Sequence, residues 1–254
     1  MVKHQSDSSD LLGIRQFGEA AKISAETTKV LVKAGIQGAG EFLGRVCLPA
    51  AEQFGLFLGE RVQLWRLKNF ARIEHEAKRI LGDKVLSGKL QVHPRIGIKI
   101  VQEGSLADDP ELQRMWAGLL ATSCTESGTD ETNLIFVNLL SQLSTPQAKI
   151  IRYVVLSCAS RKLPHPSHLY SPEVKVEMSA LCEEVGLNQA ILLRELAHLQ
   201  SLGLLRHQLL GRSNALSVNV HVIEVTLLFY ARCEGFKSAD EWLDAYKAKA
   251  RPAE

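Results

Sequence analysis

The stretch that decides the fold is Ala107–Ser123, "ADDPELQRMWAGLLATS". Asp109 is placed to accept hydrogen bonds from the free N–H groups of a helix start. Pro110 takes the first helical position, where no N–H is needed. Glu111 adds negative charge to the first turn, which the helix dipole favours. Leu112, Met115, Trp116, Leu119 and Leu120 then recur at the i, i+3, i+4, i+7, i+8 spacing of one apolar helix face. A stripe of this kind reads as core. Asp109, Pro110 and the five stripe residues are therefore expected to form a structural hub against which other helices pack.

Downstream, Asn133 to Leu143 reads as a further helix with Phe136, Leu139, Leu140 and Leu143 on one face, after the loop Ser127-Gly128-Thr129-Asp130. The segments "DDPELQRMWAGLLATS" and "FVNLLSQLSTPQAKIIRYV" together resemble the signature of the abortive infection alpha (Abi-alpha) family of bacterial phage-exclusion proteins. In that family an acidic residue and Glu-Leu lead into an aromatic residue and Leu-Leu-Ala, and a Leu-Ser-Pro-type element follows a short helix. Here the second element is Gln142-Leu143-Ser144-Thr145-Pro146-Gln147-Ala148, with Thr145 inserted before the proline. Gly118 stands where a larger polar residue is expected. The resemblance runs from roughly Leu48 to Glu234 and implies phage defence by abortive infection. Its motifs are patterns of packing and capping and carry no catalytic residue.

Upstream of the hub, residues 1–10 are polar and read as a disordered tail without the apolar core of a signal peptide. Leu11 to about Lys33 is amphipathic and helical, with Ile14, Phe17, Ala21, Val30 and Leu31 as its apolar positions. Ala34 to Gly59 is dense in glycine and alanine and is divided by Pro49. Gly40 and Gly44 are four apart, as are Gly55 and Gly59, a spacing that lets helices approach closely. A tightly packed hairpin is the plainer reading, because charges interrupt every candidate span. The sharper reading makes Gly40, Gly44, Gly55, Gly59 and Trp65 contacts to a membrane or to a second copy of the chain.

Glu60 to about Leu81 is a charge-rich helix in which Arg61, Arg66, Lys68, Arg72, Lys78 and Arg79 outnumber Glu60, Glu74 and Glu76. Leu64, Trp65, Leu67, Phe70 and Ile73 are read as its apolar side. Such a helix is suited either to cover a core with long side chains or to lie on an anionic surface. Gly82 stops it. Val92-His93-Pro94-Arg95 is a turn or extended link; the apolar run Ile96–Gln102 is too short to decide between a helix turn and a strand, and the resemblance implies a helix beside the hub.

The C-terminal part reads as a winged-helix-like module. Thr145 and Pro146 open a helix carrying Ile150, Ile151, Val154, Val155 and Cys158. After a proline-rich link, Glu173 to Val185 is read as a helix stopped by Gly186, and Asn188 caps the next, which ends at Gly203. Leu216 to Val222 alternates as a strand that Leu204–Leu209 can join across Gly211-Arg212-Ser213-Asn214. A last helix starts at Ser238, with Glu241 completing a capping box. Arg194 and His198 on the helix capped by Asn188, and Arg206 and Arg212 on the wing, are the candidate nucleic-acid contacts. Leucines fill the rest of the helix and Glu195 opposes the basic groups, so protein packing is favoured over DNA reading.

Composition sets the outer bounds. The 254 residues carry a formal charge of +2, 46% hydrophobic content and 6% aromatic content. That describes a globular chain and speaks against a dedicated nucleic-acid protein. Five widely spaced cysteines in apolar contexts read as reduced core residues of a cytoplasmic protein. His165 and His168 lack the further ligands a metal site needs. The sequence has no phosphate-binding Gly-rich loop followed by Lys and Ser/Thr, and no Gly-x-Ser-x-Gly elbow.

The expected protein is mainly α, a helical bundle over 11–143 followed by a winged-helix-like module with a small β-hairpin over 144–235 and a C-terminal helix and tail over 236–254. No cofactor, metal or catalytic residue is assigned. The expected partner is another protein or a second copy, with peripheral membrane contact on activation as the sharper alternative. The rival functions are a DNA-binding regulator and an enzyme.

Overall fold

The computed structural model describes residues 60–87, 89–160, 173–210 and 217–250. The expectations for the tail, the Gly/Ala-rich segment with Gly40, Gly44, Gly55 and Gly59, the His165/His168 loop and Arg212 lie outside the described residues.

Nine α-helices and three strands are described, with a 3-10 turn at Gly82–Ser87. Helix α1 spans Glu60–Leu81, α2 Pro94–Lys99 and α3 Pro110–Ser123; α2 runs on into a π-helical turn at Ile100–Gly104. Helices α4 (Leu134–Leu140) and α5 (Thr145–Ser160) follow. Then come β1 (Glu173–Glu177), α6 (Met178–Val185), α7 (Gln189–Ser201), β2 (Leu205–Leu210) and β3 (Ser217–Val222). Two helices close the chain, α8 (Glu224–Cys233) and α9 (Ala239–Ala250).

The hub is α3. Asp109 Oδ1 accepts from the Glu111 N–H at 2.8 Å, so the cap forms as the sequence requires. Met115, Trp116, Leu119 and Leu120 are buried, while Leu112 is half-buried at the rim. Burial extends right round the helix, because Ala117, Gly118 and Ala121 are enclosed as well. On one side the Trp116 ring lies against the backbone of Gly104 and the Ile73 side chain, where a Cβ on Gly104 would meet the ring at 3.2 Å. On another, α8 crosses so closely that a Cβ on Gly118 would stand 1.8 Å from the Cys233 carbonyl oxygen. Gly118, the departure from the expected family pattern, is the residue that this crossing demands.

Helix α8 corrects the sequence reading, which passed from the strand ending at Val222 to the helix at Ser238. Its residues "EVTLLFYARC" bury Thr226, Leu227, Phe229, Tyr230, Ala231 and Cys233. It packs on α3 and α5, and Phe229 also meets Phe136 of α4, with ring centroids 6.0 Å apart. Tyr230 and Trp242 of α9 pack edge to face at 5.3 Å.

The stretch from α5 to β3 runs helix–strand–helix–helix–hairpin, with antiparallel sheet order β1-β3-β2. Here the sequence reading needs a second correction: Glu173–Glu177 is a strand, and the helix begins at Met178. Val174 and Val176 pair with Val220 and Val218 and face the core. Helix α5 is capped one residue earlier than expected, since Gln147 Oε1 accepts from the Ser144 N–H at 3.1 Å. Gly186 ends α6 in the left-handed region at φ 73°, and Asn188 caps α7 by accepting from the Ile191 N–H at 3.0 Å.

Candidate functional site

Buried polar groups lock the helices together. Arg66 Nε donates to Ser105 Oγ at 2.9 Å, and Asn69 Nδ2 donates to the Ser105 carbonyl at 3.2 Å. Gln113 Nε2 donates to the Ala107 carbonyl at 2.9 Å, so α1 and α3 are both tied to the turn between them. Asn133 Nδ2 donates to Thr122 Oγ1 and Ser123 Oγ, each at 2.9 Å, which fixes α4 to the end of α3. Groups bonded in this way specify packing.

A charged seam joins the hub to the module. Arg114 reaches Glu111 at 2.6 Å and Glu234 at 3.4 Å, and Arg152 lies 3.7 Å from both Glu111 and Glu184. Tyr230 is buried beside it. Burial, with Glu234 adding to it, holds its phenol well above the ordinary tyrosine range.

The nucleic-acid candidates divide. Arg194 is exposed, but its guanidinium is engaged by Glu195 at 2.7 Å. Glu195 is buried and accepts from Gln147 Nε2 at 2.6 Å, and the same amide sits 2.8 Å from His198 Nδ1. The polar side of α7 is thus partly turned inward, onto the start of α5. Arg206 is exposed on the outer face of the sheet, opposite His221. The sequence reading set Glu195 against these basic groups, and the structure shows how: it clamps Arg194 from within α7.

Helix α1 has two faces of opposite character. Phe70, Ile73 and Ala77 are buried toward the hub. Trp65, assigned from sequence to this apolar side, instead turns outward and is 39% exposed. With it on the outer face stand Lys68, Arg72, His75 and Arg79, all exposed. Their successive spacing of three and four residues makes one stripe about 21 Å long at 1.5 Å per residue. Arg79 pairs with Glu76, whereas Lys68 and Arg72 enter no ion pair among the described residues. Sequence reasoning found the basic excess of this helix but not the alignment of its charges.

Glu74 lies on the inner side of α1 at 1% exposure, with Lys78 Nζ 2.8 Å from one carboxylate oxygen. Burial raises its pKa to about 7 against the opposing pull of Lys78. Cys124, Cys158 and Cys233 are buried and Cys182 is half-buried. Among the described residues no helix is long and apolar enough to cross a membrane, and no group of His, Cys, Asp and Glu could hold a metal ion.

The family model described as abortive infection alpha matches residues 67–224, from the first turns of α1 through the start of α8. No curated protein and no solved structure matches the chain. The chain belongs to the abortive infection alpha family.

Proposed function

We propose that this member of the family takes part in phage defence by abortive infection, and that it acts by binding a protein or a membrane surface rather than by catalysis. The family match over residues 67–224 carries the reading, because it covers the hub and the stretch from α5 to β3 as one unit. Support for binding comes from where the polar groups stand. Those inside the fold, Asn69, Gln113, Asn133 and Gln147, are engaged with neighbouring helices and turns. Lys68 and Arg72, which enter no ion pair among the described residues, are exposed on the outer face of α1, where a partner can reach them.

The test is plating efficiency and host survival, with and without the protein, at low and high phage multiplicity. Fewer plaques together with loss of the infected host is the expected result. Equal plaque counts across a broad phage panel would contradict the reading.

A DNA-binding regulator is the second reading, favoured by the winged-helix order of elements. The Glu195 clamp on Arg194 weakens it, since a reading helix presents its basic groups to the groove. Tight, sequence-selective binding at physiological salt that Arg194→Ala abolishes would promote it.

A further inference from the structure

We infer that the outer face of α1 is a docking surface for anionic lipid, with Trp65 and the row Lys68, Arg72, His75 and Arg79 lying flat against the headgroups. This rests on the interaction reading given above and names its partner.

The geometry meets three requirements. First, the row is continuous: five exposed side chains follow one helix face. Glu76, four residues after Arg72 and three before Arg79, borders the row, but it is half-buried and paired with Arg79. Second, the helix is held as a rigid bar. Its inner face is anchored by Phe70, Ile73 and Ala77, and Arg66 is fastened through its side chain to Ser105 and to the Gln102 carbonyl. The cations are therefore presented without ordering a flexible segment on binding. Third, the row is headed by a tryptophan, whose ring favours the boundary between headgroups and acyl chains.

Formal charge on the whole chain is only +2, so the attraction comes from this local alignment. Phosphate in nucleic acid would be drawn to the same cations, but one exposed indole at the end of a straight row matches a flat lipid surface better than a grooved duplex.

The experiment uses the full chain with sucrose-loaded vesicles of neutral phosphatidylcholine, alone or mixed with phosphatidylglycerol. Sedimentation with the anionic vesicles only, weakening as salt is raised, is expected. Trp116 and Trp242 are 2% and 4% exposed against 39% for Trp65, so a blue shift of tryptophan emission on binding reports Trp65. The double variant Lys68→Glu/Arg72→Glu should lower the partition coefficient at least about 25-fold, from roughly fivefold per basic residue. Its melting curve should match wild type, since both side chains are exposed and unpaired among the described residues.

Equal partition onto neutral vesicles overturns the inference, and so does undiminished binding by the double variant. Binding to duplex DNA that depends on Lys68 and Arg72, without any vesicle binding, overturns it in favour of nucleic acid. No phage enters the assay, so its failure leaves the defence reading standing, and a failed plating test leaves the lipid result intact.

Discussion

Helices α3 and α1 pack against each other, yet they use their residues in opposite ways. From Met115 to Ser123 every residue of α3 is buried, Thr122 and Ser123 included. Helix α1 buries one side and gives the other to Trp65 and a line of basic residues. The contrast separates what holds the protein together from what it offers to partners. A helix enclosed on all sides has no spare face for recognition, whereas a two-faced helix anchored to it can present charge rigidly. Substitutions in α3 should therefore damage stability, and substitutions on the outer face of α1 should damage binding alone.

The strongest break of that division is Trp116→Ala. The ring fills the space between Gly104, Ile73 and the rest of the core, and its loss should cost about 3–5 kcal/mol. A denaturant midpoint that barely moves would mean that the hub is not the centre of the fold. Next is Gly118→Ala, where one methyl group would be driven into the Cys233 carbonyl. Because backbone must shift, about 3 kcal/mol or more is expected. If the variant melts with wild type, the close crossing of α3 and α8 is not as described.

Glu74 sharpens the comparison from the buried side of α1. Its carboxyl titrates near 4.5 when unfolded and near 7 when folded, so the folded state holds an extra proton between those values. Stability should be fullest below about pH 4.5 with respect to this group and should fall as pH rises toward 7, by up to about 3 kcal/mol. Glu74→Gln should flatten this part of the profile and raise the melting temperature at pH 8. Parallel wild-type and variant profiles between pH 5 and 8 would show that the group titrates normally. The smallest effect belongs to the outer face: Lys68→Glu/Arg72→Glu should change stability by no more than about 0.5 kcal/mol.

Local signals carried much of this fold in the sequence. Asp109 with Pro110, Asn188 and Gly186 each act where their side chain or backbone freedom places them, because capping is decided within a few residues. At the last helix Ser238 accepts from the Glu241 N–H as expected, while the Glu241 carboxylate turns to the Lys237 N–H. The failures came where local pattern and tertiary context disagree. In Glu173–Val185, Val174, Met178, Leu181 and Val185 match helical spacing, yet Val174 and Val176 alternate and find β3 as a partner. Helix α8 carries apolar residues on most sides, so it has little amphipathic stripe to detect. Trp65 was misplaced because its neighbours Leu64 and Leu67 suggest an apolar side in the sequence, whereas the structure turns Trp65 outward and leaves Leu67 half-buried. The charged line on α1 becomes visible only once the buried side of the helix is known.

Phage plating with the charge-reversed protein tests the central claim most directly. Lys68→Glu/Arg72→Glu, shown by melting to fold like wild type, is expressed at equal level in infected cells. The account predicts that wild type lowers plaque counts and that the variant restores them toward the unprotected value. Protection by the variant equal to that of wild type would contradict it, because the open face of α1 would then have no part in defence.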